Sequence, residues 1–192
     1  MKRNYAHPES TILLDYGCGG GRDSYALCVE GYKMIAMDYA EEALELVREK
    51  CKSFSKDCIT VVKNEALEIP LQDHSVDGII ADGSLFLNSK EDITVVVTNL
   101  SQVVKNDGLI WANFRTRDDS MYGMGEEIGE NLFRLDERTG RAGSTYYFAN
   151  ENDIKDIFTL AGFKIETIDD YRQTSDNRRE ESCWFHVVGR RK

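Results

Sequence analysis

Ile12-Leu13-Leu14-Asp15-Tyr16-Gly17-Cys18-Gly19-Gly20-Gly21-Arg22-Asp23 is the stretch that decides the fold. Three apolar residues lead into an acid, and Gly17, Gly19, Gly20 and Gly21 follow. The apolar run is strand length and reads as a buried strand. A glycine has no Cβ, so the backbone here is free to take positive φ and to let another group approach closely. Asp23 stands where it would cap a helix beginning at Ser24 and stopped by Gly31. A strand, a glycine-rich turn and a helix in succession form the nucleotide-holding unit of doubly wound α/β folds.

Outward from that unit the same alternation continues. Strands are expected at 11–16, 33–38, 59–63, 76–81 and 109–114. A helix is expected over 40–51, where Ala40, Ala43, Leu44 and Val47 recur at i, i+3, i+4 and i+7. A second starts at Ser89-Lys90-Glu91-Asp92, with a capping-box-like opening. It runs to Lys105 and stops at Asn106-Asp107-Gly108; its Val95-Val96-Val97 run is β-branched, but the segment is long enough to stay helical. Residues 1–10 read as a loose polar arm. Residues 115–148 break the rhythm as an insertion, with a short hairpin around 136–143. The rhythm resumes with a helix over 150–161, capped by Asn150 and carrying Ile154, Ile157, Phe158 and Ala161 on one face. Two strands, 163–171 and 183–190, close the chain. Alternating strands and helices imply a parallel sheet covered on both faces, and two consecutive final strands imply an antiparallel hairpin on it.

The glycine spacing narrows the ligand. A dinucleotide turn reads G-x-G-x-x-G. Here it is Asp15-x-Gly17-x-Gly19-x-Gly21, one residue tighter, with a carboxylate two positions ahead of the first glycine. That carboxylate suits a ligand carrying an amine and a sulfonium better than a pyrophosphate. On this motif and on the closing pair of strands, the chain resembles the class I S-adenosylmethionine (SAM) dependent methyltransferases, whose first motif is E/D-x-G-x-G-x-G. The resemblance runs from Thr11 to Lys192. It implies an α/β, doubly wound, Rossmann-like, seven-stranded, mostly parallel sheet with a terminal antiparallel hairpin, in a single domain over 1–192.

The resemblance also assigns cofactor residues. Gly17, Cys18, Gly19 and Gly21 would lie along the methionine part and ribose, with Asp15 favouring the cationic end. Asp38, closing the second strand, would accept from both ribose hydroxyls, since one carboxylate matches a vicinal diol. A helix cap for 40 onward is its alternative role. Tyr39 would lie against the adenine. Glu65 and Ala66 follow the third strand, where the family often has Asp; Glu is one methylene longer. Asp82, Gly83 and Phe86 follow the fourth strand and would pass the methionine end, with Phe86 in the core as the alternative. Asp77 reads as structural, and His74 as a surface residue.

Composition bounds the rest. The chain has 192 residues, 41% hydrophobic and 30% charged, as one soluble domain would have. No apolar run is long enough for a membrane span and the N-terminus has no signal-peptide core, so a cytoplasmic location is expected. Cys18, Cys28, Cys51, Cys58 and Cys183 are odd in number and lack zinc spacing, which points to free thiols and no metal. A formal charge of −10 argues against nucleic acid as a partner. The basic set Arg172, Arg178, Arg179, Arg190, Arg191 and Lys192 reads as solvated surface.

Methyl transfer from a sulfonium needs alignment and exclusion of water more than a dedicated base, so no catalytic residue is named. The sequence after the fourth strand, Asp82-Gly83-Ser84-Leu85, is no N-P-P-Y-like motif. The resemblance is strongest to small bacterial methyltransferases acting on metabolites, which makes a small molecule the expected acceptor. The family carries a longer helical cover ahead of the first strand than the ten residues present here. The stretch 115–129 is therefore expected to be the lid, or a second subunit to complete the cover as a homodimer. Met121, Tyr122 and Met124 would form an acceptor wall, with Arg115 or Arg117 orienting an anionic group. Two other classes remain: a NAD-linked oxidoreductase, disfavoured by the tight glycine spacing and the terminal hairpin, and a non-catalytic SAM-binding module, which the same glycines would support.

Overall fold

The computed structural model describes residues 5, 7–54, 58–65, 67–175, 177 and 180–192. Its centre is a sheet in which β1 (Ile12–Tyr16), β2 (Lys33–Asp38), β3 (Ile59–Lys63), β4 (Val76–Ala81) and β5 (Val104–Thr116) run parallel in the order β3-β2-β1-β4-β5. The order reverses at β1, which puts the switch point between β1 and β4. The chain's end, β9 (Phe163–Ser175) and β10 (Glu180–Arg191), folds back as an antiparallel pair, with β10 seated against β5 from Trp184↔Arg115 to Arg190↔Leu109. The expected parallel sheet with a reversed ending is the one observed.

The strand count is higher than the seven expected, and the difference lies in the insertion. It forms β6 (Gly125–Gly129), β7 (Leu132–Leu135) and β8 (Thr145–Ala149), an antiparallel set that gives a ten-stranded sheet. β8 runs beside the far end of β5 through Arg115↔Phe148 and Thr116↔Ala149. The alternation in Leu132–Leu135 and Tyr146–Ala149 buries Phe133, Leu135, Tyr146 and Phe148 together. The connection across 136–143 is the hairpin turn the sequence suggested, with Gly140 and Gly143 at positive φ.

Among the described residues four helices flank the sheet: α1 (Arg22–Val29), α2 (Glu41–Lys50), α3 (Lys90–Val103) and α4 (Glu151–Leu160). The side chains of Ser89 and Asn150 cap α3 and α4, the latter in a reciprocal capping box with Asp153. Val96 and Val97 are fully buried, so packing overrides their β-branching. β5, β9 and β10 run longer than expected, and two helix ends move by more than a residue. α3 ends at Val103 because Val104 turns extended and pairs with Val76; Asn106-Asp107-Gly108 becomes an irregularity inside β5, with Asp107 at positive φ. Asp23 does not cap α1. The helix begins two residues earlier than expected, at Arg22 rather than Ser24; its N-cap is Gly21 at φ 70°, and Asp23 lies within the first turn, bonded to Arg22.

Asp77 is structural, as read. One oxygen accepts from the Ile12 N–H at 2.8 Å and the other from Lys105 Nζ at 2.7 Å, which ties β1, β4 and β5 at their entry ends. His74 is exposed. Among the described residues no helix is long and apolar enough to cross a membrane.

Candidate functional site

The site lies beyond the carboxyl ends of β1, β2 and β4, where the strand order reverses. Gly17, Gly19 and Gly21 all take positive φ (68°, 49° and 70°), so the turn after β1 requires glycine at each. Their surroundings differ. A Cβ on Gly17 would stand 2.4 Å from Ser84 Cβ, and one on Gly21 2.9 Å from Val47. A Cβ on Gly19 would meet nothing within 4 Å. Gly17 and Gly21 are therefore glycines for packing, whereas Gly19 borders open space.

That space is two cavities that share Gly17, Gly19 and Gly83. The larger, about 830 Å³, runs over Asp38, Tyr39 and Asn64 on one side and Ser84, Leu87 and Asn88 on the other. The smaller, about 380 Å³, is bounded by Asp15, Cys18, Arg22, Asp23, Asp82 and Trp184. Both are of the size of small-molecule sites.

Asp38 holds the turn to the second strand. Its two oxygens accept from the Gly19 N–H at 2.8 Å and the Ala40 N–H at 3.0 Å. It thus both supports the glycine turn and steadies the entry to α2, and it still lines the larger cavity. Tyr39 is 72% exposed at the rim, free to lie against a flat ligand. Asp15 is 3% exposed, and one oxygen accepts from both the N–H and the hydroxyl of Ser24, at 3.0 and 2.6 Å. Burial, reinforced by the nearby Asp23 and Asp82 and only partly offset by Ser24, pushes its pKa up to about 6. Burial likewise raises the Cys18 thiol to about 12, so it stays protonated and unreactive at neutral pH. Arg22 bridges Asp23 and Asp82 across the mouth of the smaller cavity. Asp82 also accepts from the Asn113 side chain, whose own oxygen accepts from the Gly83 N–H at 2.8 Å. Asn113 fixes the loop after β4 and carries no signal in the sequence; its place on β5 opposite Asp82 is visible only once the register is known.

Asp15, Gly17, Cys18, Gly19, Asp38, Tyr39, Asp82 and Gly83 are brought together around the two cavities. Gly21 lies beneath the turn. Glu65 is exposed and lines neither cavity, its place being taken by the neighbouring Asn64. Ala66 lies outside the described residues. Phe86 lines neither cavity either; it is buried in the aromatic cluster with Tyr146 and Trp184.

None of Arg115, Arg117, Met121, Tyr122 and Met124 lines either cavity. Arg115 is buried and paired with Asp119, and its guanidinium lies 4.0 Å over the Trp184 ring. Arg117 reaches Asp153 at 3.3 Å. Met121 packs on the Phe86–Phe133–Phe148 cluster, and Tyr122 donates to Asn131 Oδ1 at 2.9 Å. Met124 is half-buried. In sequence the stretch looks like an irregular lid because glycines and polar residues dominate it; the aromatic residues that bind it down lie further along the chain, on β7 and β8.

The family model described as a methyltransferase domain matches residues 13–108. Among curated proteins, the tRNA N(3)-cytidine methyltransferase METTL2 of Gallus gallus is 25% identical over 202 residues, covering 97% of this chain and 53% of that protein. The demethylmenaquinone methyltransferase of Thermobifida fusca (strain YX) is 28% identical over 123 residues, 62% of this chain and 51% of its own. The chain spans about half the length of these curated relatives. Among solved structures, a SAM-dependent methyltransferase from Methanosarcina mazei superposes with a TM-score of 0.82 at 18% identity, over 98% of this chain and 95% of that one. The 1,6-didemethyltoxoflavin-N1-methyltransferase of Burkholderia thailandensis, crystallised with 1,6-didemethyltoxoflavin and S-adenosylhomocysteine, has a TM-score of 0.72 at 17% identity, over 100% and 74%. These likenesses are of fold.

Proposed function

The chain belongs to the methyltransferase-domain family and is a class I SAM-dependent methyltransferase, and on that premise we propose that its two joined cavities hold SAM while a small-molecule acceptor takes the methyl group. The observation that carries the reading is the shared rim of Gly17, Gly19 and Gly83, with a carboxylate on either side, Asp38 in the larger cavity and Asp82 in the smaller. The residues present fit the donor. Asp38 would hold the ribose, Tyr39 and Asn64 would flank the adenine, and Asp15 and Asp82 would favour the ammonium end. Space above Gly19, into which even a methyl group projects without contact, admits the ligand's close approach. When bound, SAM supplies a methyl group already activated on a sulfonium, which leaves by in-line displacement. The chain's part is to position and to exclude water.

Charge supports a small acceptor. The net charge is −10, and the three described arginines of the final hairpin are engaged. Arg172 pairs with Asp118 and Glu181, Arg190 with Glu166, and Arg191 donates to the Ser101 and Gly162 carbonyls. Arg178 and Arg179 lie outside the described residues. A tRNA acceptor is the second reading, favoured by the name of the METTL2 relatives. Five free thiols fit a reducing compartment such as the cytoplasm.

The test has two steps. Calorimetry with S-adenosylhomocysteine and with NAD should show binding of the first alone. Formation of S-adenosylhomocysteine from SAM is then followed against a library of small amines, thiols, phenols and carboxylates, and against total tRNA. Turnover with tRNA alone replaces the first reading by the second. No turnover with any acceptor supports a non-catalytic binding module.

A further inference from the structure

Among the described residues Trp184 is the one aromatic wall of the smaller cavity, facing Gly17, Gly19 and Gly83 across it. Its ring is held from behind. Arg115 is its register partner on the neighbouring strand, so the two side chains stand on the same face of the sheet as nearest cross-strand neighbours. The Arg115 guanidinium lies 4.0 Å from the Trp184 ring centroid, and Phe86 meets the same ring edge-on at 5.3 Å.

Arg115 is in turn held by Asp119, whose side chain is fully buried. Asp119 accepts from Arg115 Nη1 and from the Met121 and Cys183 N–H groups at 3.0 Å each. Cys183 immediately precedes Trp184. One carboxylate therefore fixes both the cation stacked on the ring and the main chain from which the ring projects. A buried ion pair is a costly way to fill space, since apolar residues of equal volume often do as well for stability. Arg115 Nε, buried with no partner among the described residues, adds to that cost. What the pair supplies that an apolar pair would not is a planar cation at a fixed place against the ring.

We propose that Trp184 closes the donor site at its methionine end and that Arg115 and Asp119 are positioning residues holding its ring in place. The inference rests on the donor-site reading above. It moves the boundary nearest the reacting group from the 115–129 stretch to the start of β10, with the ion pair as the joint between them.

Tryptophan fluorescence tests it, because the chain has two tryptophans. Trp111 lies outside both cavities, and Trp111→Phe leaves Trp184 as the sole reporter. In that background, titration with S-adenosylhomocysteine should change the Trp184 emission saturably, with the dissociation constant that calorimetry gives. Arg115→Met and Asp119→Asn should shrink the emission change and weaken binding threefold or more, and Arg115→Lys should restore only part of it because the planar stack is lost. Should Arg115→Met fail to fold, Trp184→Leu read by calorimetry alone should show the same weakening. Calorimetric binding with an unmoved Trp184 emission, or full affinity and response in Arg115→Met, would overturn the inference and leave the donor site standing. Absence of calorimetric binding in the parent protein would remove both.

Discussion

Asp15 and Ser24 are joined twice, the carboxylate accepting from the serine N–H at 3.0 Å and from its hydroxyl at 2.6 Å, in a place closed to solvent. The bond ties the end of β1 to the first turn of α1 and so sets the shape of the glycine turn between them. Burial raises the carboxyl from 3.8 to about 6. A folded-state value above the unfolded one means stability is fully present below about pH 4 and is lost as pH rises through about 6. A rise of that size corresponds to a loss of about 3 kcal/mol. Asp15→Asn keeps an acceptor for Ser24 without the charge. Thermal or urea unfolding at pH 4, 5, 6 and 7 should show the variant gaining on the parent as pH rises. A constant difference between the two would show that Asp15 does not ionise under strain.

The same carboxylate should respond to ligand. A cationic group in the smaller cavity favours the ionised form, so S-adenosylhomocysteine, through its ammonium, should bind more tightly at pH 7 than at pH 5. In Asp15→Asn that dependence should flatten. Calorimetry in two buffers of different ionisation heat would also detect the proton released on binding.

Gly17 and Gly19 are predicted to fail in different ways. Alanine at Gly17 drives its Cβ into Ser84 and should lower stability by about 1–3 kcal/mol, as overpacking does. Alanine at Gly19 meets open space, so only the positive φ penalises it, by about 1 kcal/mol. Its methyl group projects where the two cavities join, and donor binding should be lost while the protein stays folded. A Gly19→Ala protein with normal affinity for S-adenosylhomocysteine would contradict the close approach assigned to that position.

Asp38→Ala should weaken donor binding by about 1–3 kcal/mol, the cost of leaving polar partners unmade. Because the Gly19 and Ala40 N–H groups both depend on Asp38, the melting temperature should fall as well. A folded variant that binds S-adenosylhomocysteine as the parent does would end the ribose assignment.

The central parallel strands were legible because each is a short apolar run bounded by turn residues: Ile59–Lys63 and Val76–Ala81 fall where the sequence puts them. The glycine turn was legible because positive φ leaves a residue-type signature, and its tight spacing carried the family. Asp38 was legible by position, at the end of a strand on the switch side. What could not be read was long-range. The Asn113–Asp82 bond depends on strand register, and Arg115 meets Trp184 across 69 positions of chain through the pairing of β5 with β10. The insertion was misread for a related reason. Its strands are four or five residues long, and the burial of β7 and β8 is supplied by one another and by Phe86.

That misreading yields a prediction with opposite signs for the two views of 115–129. A lid that merely closes over the site would tolerate loss of its apolar side chains in stability and suffer in turnover. In the structure, Met121 packs on the aromatic cluster and Tyr122 both meets Phe133 and Phe148 edge-on and donates its hydroxyl to Asn131. Asn131 in turn accepts, through its main-chain carbonyl, from the Phe148 N–H at 2.9 Å, so the tyrosine is linked to the strand beside β5. Tyr122→Phe removes one hydrogen bond and should lower stability by about 1 kcal/mol. Met121→Ala removes a partly buried side chain and should cost about 1–3 kcal/mol, at or below the lower part of the range for a fully buried one. Calorimetric affinity for S-adenosylhomocysteine should be unchanged in both, since neither residue borders the cavities. Urea unfolding of the two variants decides the matter: unaltered midpoints would restore the stretch to a mobile cover, and lowered midpoints with intact donor affinity fix it as part of the folded sheet.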